Sequence, residues 1–316
     1  MAKEILYLEC YSGISGDMTV GALLDLGASR EVLEKTLAEL QLEGYHLHFG
    51  RTTKCAIDAY DFDVHLEHHH DHAHETEDGH SHDVNELHAE ENPQIHEAYH
   101  EHEHEHEHDH EHEHDHEHDH HHDHDHHHDH DHDHGHDHHH GHDHVHRHMH
   151  DIEEILDRLS NPHVKEKALK MFQIVAEAES KAHGVPVEEV HFHEVGAVDS
   201  IVDIVSVACL MEDLGIDDVA VSPLYEGCGH VRNQHGILPV PVPAVVNIAQ
   251  ANGLRMKITD TLGEMITPTG AAIAAAYQTR KNLPASYEIK AVGIGAGKKD
   301  FPKANILRAM ILSVEG

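Results

Sequence analysis

The chain reads as an α+β fold: a mixed α/β globular core interrupted by a long disordered His-rich insertion. Three observations predict it. Between residues 65 and 151 the sequence nearly loses its apolar residues and alternates histidine with aspartate and glutamate. On either side, short segments of period-two hydrophobicity mark strands and longer segments of period 3.6 mark helices. Those strands and helices alternate irregularly, which commits the chain only to a mixed α and β fold. The core is therefore divided in sequence into an N-terminal part, 1–64, and a main part, 152–316, with 65–151 as the insertion.

The insertion holds roughly 39 of the 47 histidines and about 28 acidic residues. A stretch so poor in apolar side chains cannot offset the entropy of ordering itself. Alternating imidazole and carboxylate is also a dense array of nitrogen and oxygen ligands, which points to divalent metal binding. Imidazole suits nickel, copper, zinc and iron alike, so composition indicates a divalent transition metal without choosing one. The candidate ligands are the clusters His68, His69 and His70; His102, His104 and His106; His120, His121 and His122; His126, His127 and His128; and His138, His139 and His140. The plainer reading is a solvated charged linker. Against it, histidine is mostly neutral at pH 7 and supplies about half of the run.

The elements follow in order. Glu4–Glu9 is a β-rich run that ends in the turn Cys-Tyr-Ser-Gly-Ile-Ser-Gly-Asp at residues 10–17. Asp17 is the expected N-cap of a helix through Leu26, which Gly27 stops. Ser29 opens a second helix with Val32, Leu33, Leu37 and Leu40 on one face. Tyr45, Leu47 and Phe49, and then Phe62, Val64 and Leu66, alternate with polar residues and read as strands. Beyond the insertion, Ile152, Ile155, Leu156 and Leu159 form a helical stripe. Asn161-Pro162 starts a longer helix that ends at His183-Gly184. Asp199 is expected to cap a helix from Ser200 to Leu214. Val219–Leu224 reads as a strand, and Leu238–Pro243 as extended chain because each proline keeps its predecessor out of the helical region. Pro243 suits the first turn of a helix. Leu254–Ile258 is a strand, Thr267-Pro268-Thr269-Gly270 opens an Ala-rich helix, and Tyr287–Val292 and Ile306–Val314 are strands flanking a Gly293–Gly297 loop.

Several clusters have the composition of a chemical site. Ser12, Gly13, Ser15, Gly16 and Asp17 join a strand to a helix start, where unpaired N–H groups and the helix dipole can hold an anion; plain capping is the alternative. Thr267 and Thr269 offer the same choice at a second helix start. His193, Glu194 and Asp199 can take a proton near neutral pH, and His191 can ligate a metal, unless these are ordinary strand histidines. Cys228 and His235 lie in one glycine-rich segment with His230, and thiolate plus imidazole suits a borderline metal; a buried inert cysteine is the alternative. Gly293–Lys299 fails as a phosphate loop, which would need glycine at Val292 and a hydroxyl at Lys299.

The composition excludes several classes. The 316-residue chain carries a net charge of −39, and it stays acidic outside the insertion, so no nucleic-acid partner is expected. No run of about 18 apolar residues occurs, so no membrane span is expected. The N-terminus lacks a signal segment, and the four cysteines, Cys10, Cys55, Cys209 and Cys228, have no CxxC spacing. A reducing cytoplasm is the expected compartment. Association into homo-oligomers stays open.

Taken together, YLECYSGISGDM at 7–18, HFHEVGAVDSIVDIV at 191–205, GCGHVRNQHGILPVPVPA at 227–244, TPTGAA at 267–272 and GIGAGKKDF at 293–301 resemble the LarC family of nickel insertion proteins. The resemblance covers both halves of the core and includes the His-rich run. It implies a CTP-dependent cyclometallase that inserts Ni(II) into pyridinium-3,5-bisthiocarboxylic acid mononucleotide, forming two Ni–S bonds and one Ni–C bond. The product is the nickel-pincer cofactor, with the lactate racemase apoprotein as its eventual recipient. In the family, CTP with Mn or Mg is bound by a C-terminal segment that follows the region matched here. The chain is thus expected to act with that segment as partner, as the N-terminal part of a nickel chelatase of the lyase type. The alternative is a nickel storage protein or metallochaperone without catalysis of its own.

Overall fold

The computed structural model describes residues 3–67, 147–190, 192, 197–233 and 235–314. Before the insertion lie β1 (Lys3–Glu9), α1 (Gly16–Asp25), α2 (Arg30–Glu39), β2 (Tyr45–Lys54) and β3 (Ile57–Leu66). After it come α3 (Met149–Leu156), α4 (Pro162–His183), α5 (Val198–Leu214), β4 (Val219–Val221), β5 (Leu224–Cys228), β6 (His230–Asn233) and β7 (Gly236–Pro239). The chain continues through α6 (Pro243–Asn252), β8 (Met256–Leu262), α7 (Pro268–Tyr277), β9 (Glu288–Ala296) and β10 (Ile306–Val314). This is the mixed α and β architecture expected.

Six strands make one sheet in the order β2-β3-β9-β10-β1-β4. β1 is antiparallel to β10 and parallel to β4. As a strand buried on both faces it reads as a continuous apolar run. Leu6 and Leu8 join the main core under the helices, while Ile5 and Tyr7 meet Ala220, Met310 and Leu312 on the other face. Within the helical layer α5 is central, buried almost without break from Ile201 to Met211, as a helix apolar all round must be. α4 packs across α5, α6 and α7. Two smaller pairs stand apart, parallel β5–β8 and the antiparallel β6–β7 hairpin.

α1 lies directly on β9, β3 and β10. Two glycines of β9 permit this. A Cβ on Gly293 would come 2.2 Å from the Ala22 carbonyl oxygen, and one on Gly295 would come 1.9 Å from that of Met18. Backbone therefore rests on backbone, with no side chain between.

Several boundaries differ from expectation. Residues 293–296 are strand, not loop: Gly293 pairs with Ala309 and Gly295 with Leu307. The expected strand at 219–224 is two strands, interrupted at Ser222-Pro223. The insertion is narrower at its edges, since β3 runs to Leu66 and α3 starts at Met149, where the His148 N–H donates to the Asp151 carboxylate at 2.7 Å. Its interior, from His68 to His146, lies outside the described residues, and with it the candidate ligands His68–His70, His102–His106, His120–His122, His126–His128 and His138–His140. Among the described residues no helix is long and apolar enough to cross a membrane.

Candidate functional site

Three helix starts converge on one cleft of about 580 Å³. Ser15, Gly16 and Asp17 come from α1, Ala197, Asp199, Ser200 and Asp203 from α5, and Thr267 and Thr269 from α7. Asp63 and Val64 of β3, Glu264, and Lys298 and Lys299 after β9 complete the walls.

Backbone pairing fixes α1 against α7. The Ile14 N–H donates to the Met265 carbonyl and the Thr267 N–H to the Ile14 carbonyl, both at 3.1 Å. Thr267 caps α7, its hydroxyl accepting from the Gly270 N–H at 3.1 Å. Gly270 is necessarily glycine, because a Cβ there would come 2.1 Å from the Ile14 carbonyl oxygen. Asp203 of α5 lies over the first turn of α1, where a Cβ on Gly16 would come 2.3 Å from its Oδ2. The Lys298-Lys299 turn is held by Asn305, whose side-chain amide donates to the Lys299 carbonyl at 2.8 Å.

Neither acid is a helix cap. The cap of α1 is Ser15, with extended backbone, and that of α5 is Ala197. Asp17 and Asp199 sit instead within the first turns, and Asp203 follows Asp199 by four residues, so both lie on one helix face. Burial raises the pKa of all three carboxyls. For Asp203, pushed well above the ordinary range, the neighbouring charges of Asp17, Asp199 and Asp63 add to burial. For Asp17, a hydrogen bond from the Ser15 hydroxyl, the Met18 N–H and the charge of Lys298 oppose it. Oδ1 of Asp199 and Oδ1 of Asp203 are buried without a hydrogen-bond partner among the described residues. Lys298 reaches Asp61 at 2.9 Å and Asp63 at 3.3 Å, and Lys299 reaches Glu264 at 3.1 Å.

This is a site of two characters. Helix N-termini and two ammonium groups can hold a phosphate. Buried carboxyls with raised pKa can accept a proton or, deprotonated, ligate a divalent cation. A wider hollow of about 880 Å³ beside Lys3 and Asp218 lacks that character. There Asp218 is held well below the usual carboxylate range, at about 2, by hydrogen bonds first from Arg280 and then from Lys3 and Thr279.

The structure brings together Ser15, Gly16, Asp17, Asp199, Thr267 and Thr269, which come from distant segments of the sequence. Ser12 and Gly13 do not line the cleft. Gly13, at φ +92°, builds the turn against Met265. His191, His193 and Glu194 lie outside the described residues, although Phe192 between them is buried and its N–H donates to the Arg147 carbonyl at 3.1 Å. Cys228 ends β5 in register with Leu262, and His235 lies with Glu179 and His183 of α4. Sequence reading missed Asp63, Asp203, Glu264, Lys298 and Lys299. An acid inside the apolar run Ile201–Met211 was the one available signal for Asp203.

The model of a family described as nickel insertion protein matches residues 6–316. A protein of Alkaliphilus metalliredigens, named pyridinium-3,5-bisthiocarboxylic acid mononucleotide nickel insertion protein, is 51% identical over 97% of this chain and 60% of its own length. Proteins of the same name from Geobacillus kaustophilus and Staphylococcus saprophyticus are 36% and 30% identical, over 98% and 96% of this chain and 59% of their own lengths in each case. The chain thus spans about 60% of the length of these curated relatives. No solved structure matches it. On this sequence match, the chain belongs to the nickel insertion protein family.

Proposed function

We propose that the chain is the N-terminal part of an enzyme that inserts Ni(II) into pyridinium-3,5-bisthiocarboxylic acid mononucleotide, with the cleft as its substrate site. The observation that carries this reading is the joining, in one cleft, of three helix N-termini and two lysines with the buried carboxyls of Asp17, Asp199 and Asp203. The names of the relatives supply the substrate and the metal.

The substrate has three demands. Its phosphate needs positive potential without a bulky wall, which the N-termini of α1 and α7 and the ammonium groups of Lys298 and Lys299 offer. Its thiocarboxylates must meet Ni(II), which arrives as the second substrate. The ring carbon must exchange a C–H bond for a Ni–C bond, and the proton released goes to a base. Asp203, flanked by Asp17 and Asp199, is the base this reading selects, because burial and the charges of its neighbours favour its protonated form. His193 and Glu194 remain candidates for the same proton, and His191 for the metal. CTP would be consumed with Mn or Mg in a C-terminal partner segment, and the product would serve lactate racemase in the cytoplasm.

The test is cofactor formation from Ni(II), CTP and the mononucleotide with the C-terminal segment present. Lys298→Ala should raise the KM for the mononucleotide about tenfold with little change in kcat, since a group that binds phosphate equally throughout acts on binding alone. Asp203→Asn should lower kcat. Normal kinetic constants in both folded variants would remove the cleft from the reaction.

A further inference from the structure

A second cluster lies where the end of α4 meets the β6–β7 hairpin. Glu179 and His183 are four residues apart on the last turn of α4, with the Glu179 Oε2 3.5 Å from the His183 Nε2. Gly184 closes the helix in the left-handed conformation at φ +67°. The hairpin presents His235 at its turn, where the His235 N–H donates to the Asn233 side-chain oxygen at 3.0 Å. The rings of His183 and His235 lie with centroids 4.8 Å apart, and one donor atom from each of the three side chains lies within 4.8 Å of the others.

We infer that Glu179, His183 and His235 form a mononuclear site for a first-row divalent metal ion, separate from the His-rich insertion and from the cleft. Two imidazoles and one carboxylate are the ligand set that borderline ions such as nickel and zinc take, with remaining positions open to water or a passing ligand. Metal–donor bonds of about 2.1 Å place neighbouring donors about 3 to 3.5 Å apart. The exposed imidazoles therefore close on an ion by side-chain rotation alone. Glu179 gives the set its charge: its side chain is only 19% exposed, and it is turned toward the two rings. Two elements far apart in sequence contribute, so binding also ties the hairpin to α4. Under the function proposed above the ion is nickel on its way to the substrate. That identity rests on the proposed function, whereas the ligand set rests on geometry alone.

The experiment uses the full chain with Ni(II) as the probe, without CTP, mononucleotide or C-terminal segment. Diethyl pyrocarbonate modifies accessible imidazoles, and peptide mass spectrometry reports His183 and His235 individually, apart from the histidines of the insertion. Nickel is raised until the insertion is protected and then beyond. His183 and His235 should lose reactivity together, at one nickel concentration. Glu179→Ala should raise that concentration at least about tenfold, as loss of a direct ligand must if loss of an outer-shell partner already costs that much. His183→Ala should do the same to His235. Unchanged melting of both variants keeps the comparison valid, and if one unfolds, Glu179→Gln replaces it. Equal modification of His183 and His235 with and without saturating nickel would overturn the site and leave the proposed function standing. Protection in a chain that no variant or partner renders active in insertion would refute that function and leave the site.

Discussion

Glu226 of β5 is fully buried, and replacing it with glutamine isolates the effect of its charge. Its Oε1 accepts from the N–H groups of Met265 at 2.7 Å, Gly227 at 2.8 Å and Ile266 at 3.2 Å. Its Oε2 is buried with no partner among the described residues. Burial pushes the carboxyl up from 4.5 to about 7, a rise that the three N–H groups oppose and Glu264 reinforces. Below about pH 4.5 the group is protonated in the folded and unfolded chains alike. Between there and pH 7 the folded chain holds a proton that the unfolded chain has lost, so stability falls as pH rises. Above pH 7 the whole cost is present, about 3 kcal/mol from a rise of roughly 2.5 pH units at about 1.4 kcal/mol each. Glu226→Gln keeps the Oε1 acceptor and removes the ionisation. It introduces an amide donor without a partner, which costs about 1–3 kcal/mol independently of pH. The observable is therefore the change with pH of the stability difference between variant and parent. Denaturant unfolding at pH 5 and pH 8 should show the variant gaining about 2.5 kcal/mol on the parent between the two, since part of the cost is already present at pH 5. Titrations of distant groups cancel in that difference. A stability difference that is the same at both pH values would refute the reasoning.

Gly295→Ala should destabilise the fold by about 1–3 kcal/mol or more in denaturant unfolding, because its methyl group would drive α1 off β9; an unchanged midpoint would mean that α1 can lift freely. In thermal melts Asp203→Asn should gain stability on the parent as pH rises, because burial and the charges of Asp17 and Asp199 raise that carboxyl's pKa in the folded chain, while nickel insertion falls by about 10²–10⁴-fold. Deleting residues 68–146 should preserve cooperative unfolding and cut nickel stoichiometry in equilibrium dialysis from many ions to about one, the one assigned to Glu179, His183 and His235; retention of many ions would place the storage ligands elsewhere.

Much of the fold was legible because its signals are local. Continuous apolar β1, the striped α2 and α4, and the Pro-opened α6 and α7 all announce themselves in a few residues. β9 was misread at its glycines, since a strand that carries a helix on its backbone must drop the side chains that identify strands. The acids Asp17 and Asp199 read as caps, but each lies two residues inside its helix, past Ser15 and Ala197. That displacement matters chemically, because inside the first turns both carboxyls line the cleft. Asp203 and Lys298 were missed as partners because only the packing of α5 on α1, and the turn after β9, brings them to Asp17. Glu179 and His183 have a readable spacing of four residues, yet His235 reaches them only through the hairpin.

The two ends of the insertion have a consequence for supply. The chain leaves the core at Glu67, just after Asp63, Val64 and Leu66 have lined the cleft. It returns at Arg147, whose carbonyl accepts from the Phe192 N–H shortly before α5 begins. Under the proposed function, a metal ion carried by the segment between is leashed at both ends to the body that uses it. Its transfer to the cleft is then a step within one molecule, not a capture from solution. Severing the leash while supplying the same histidines as a free peptide would conserve every ligand and abolish that advantage.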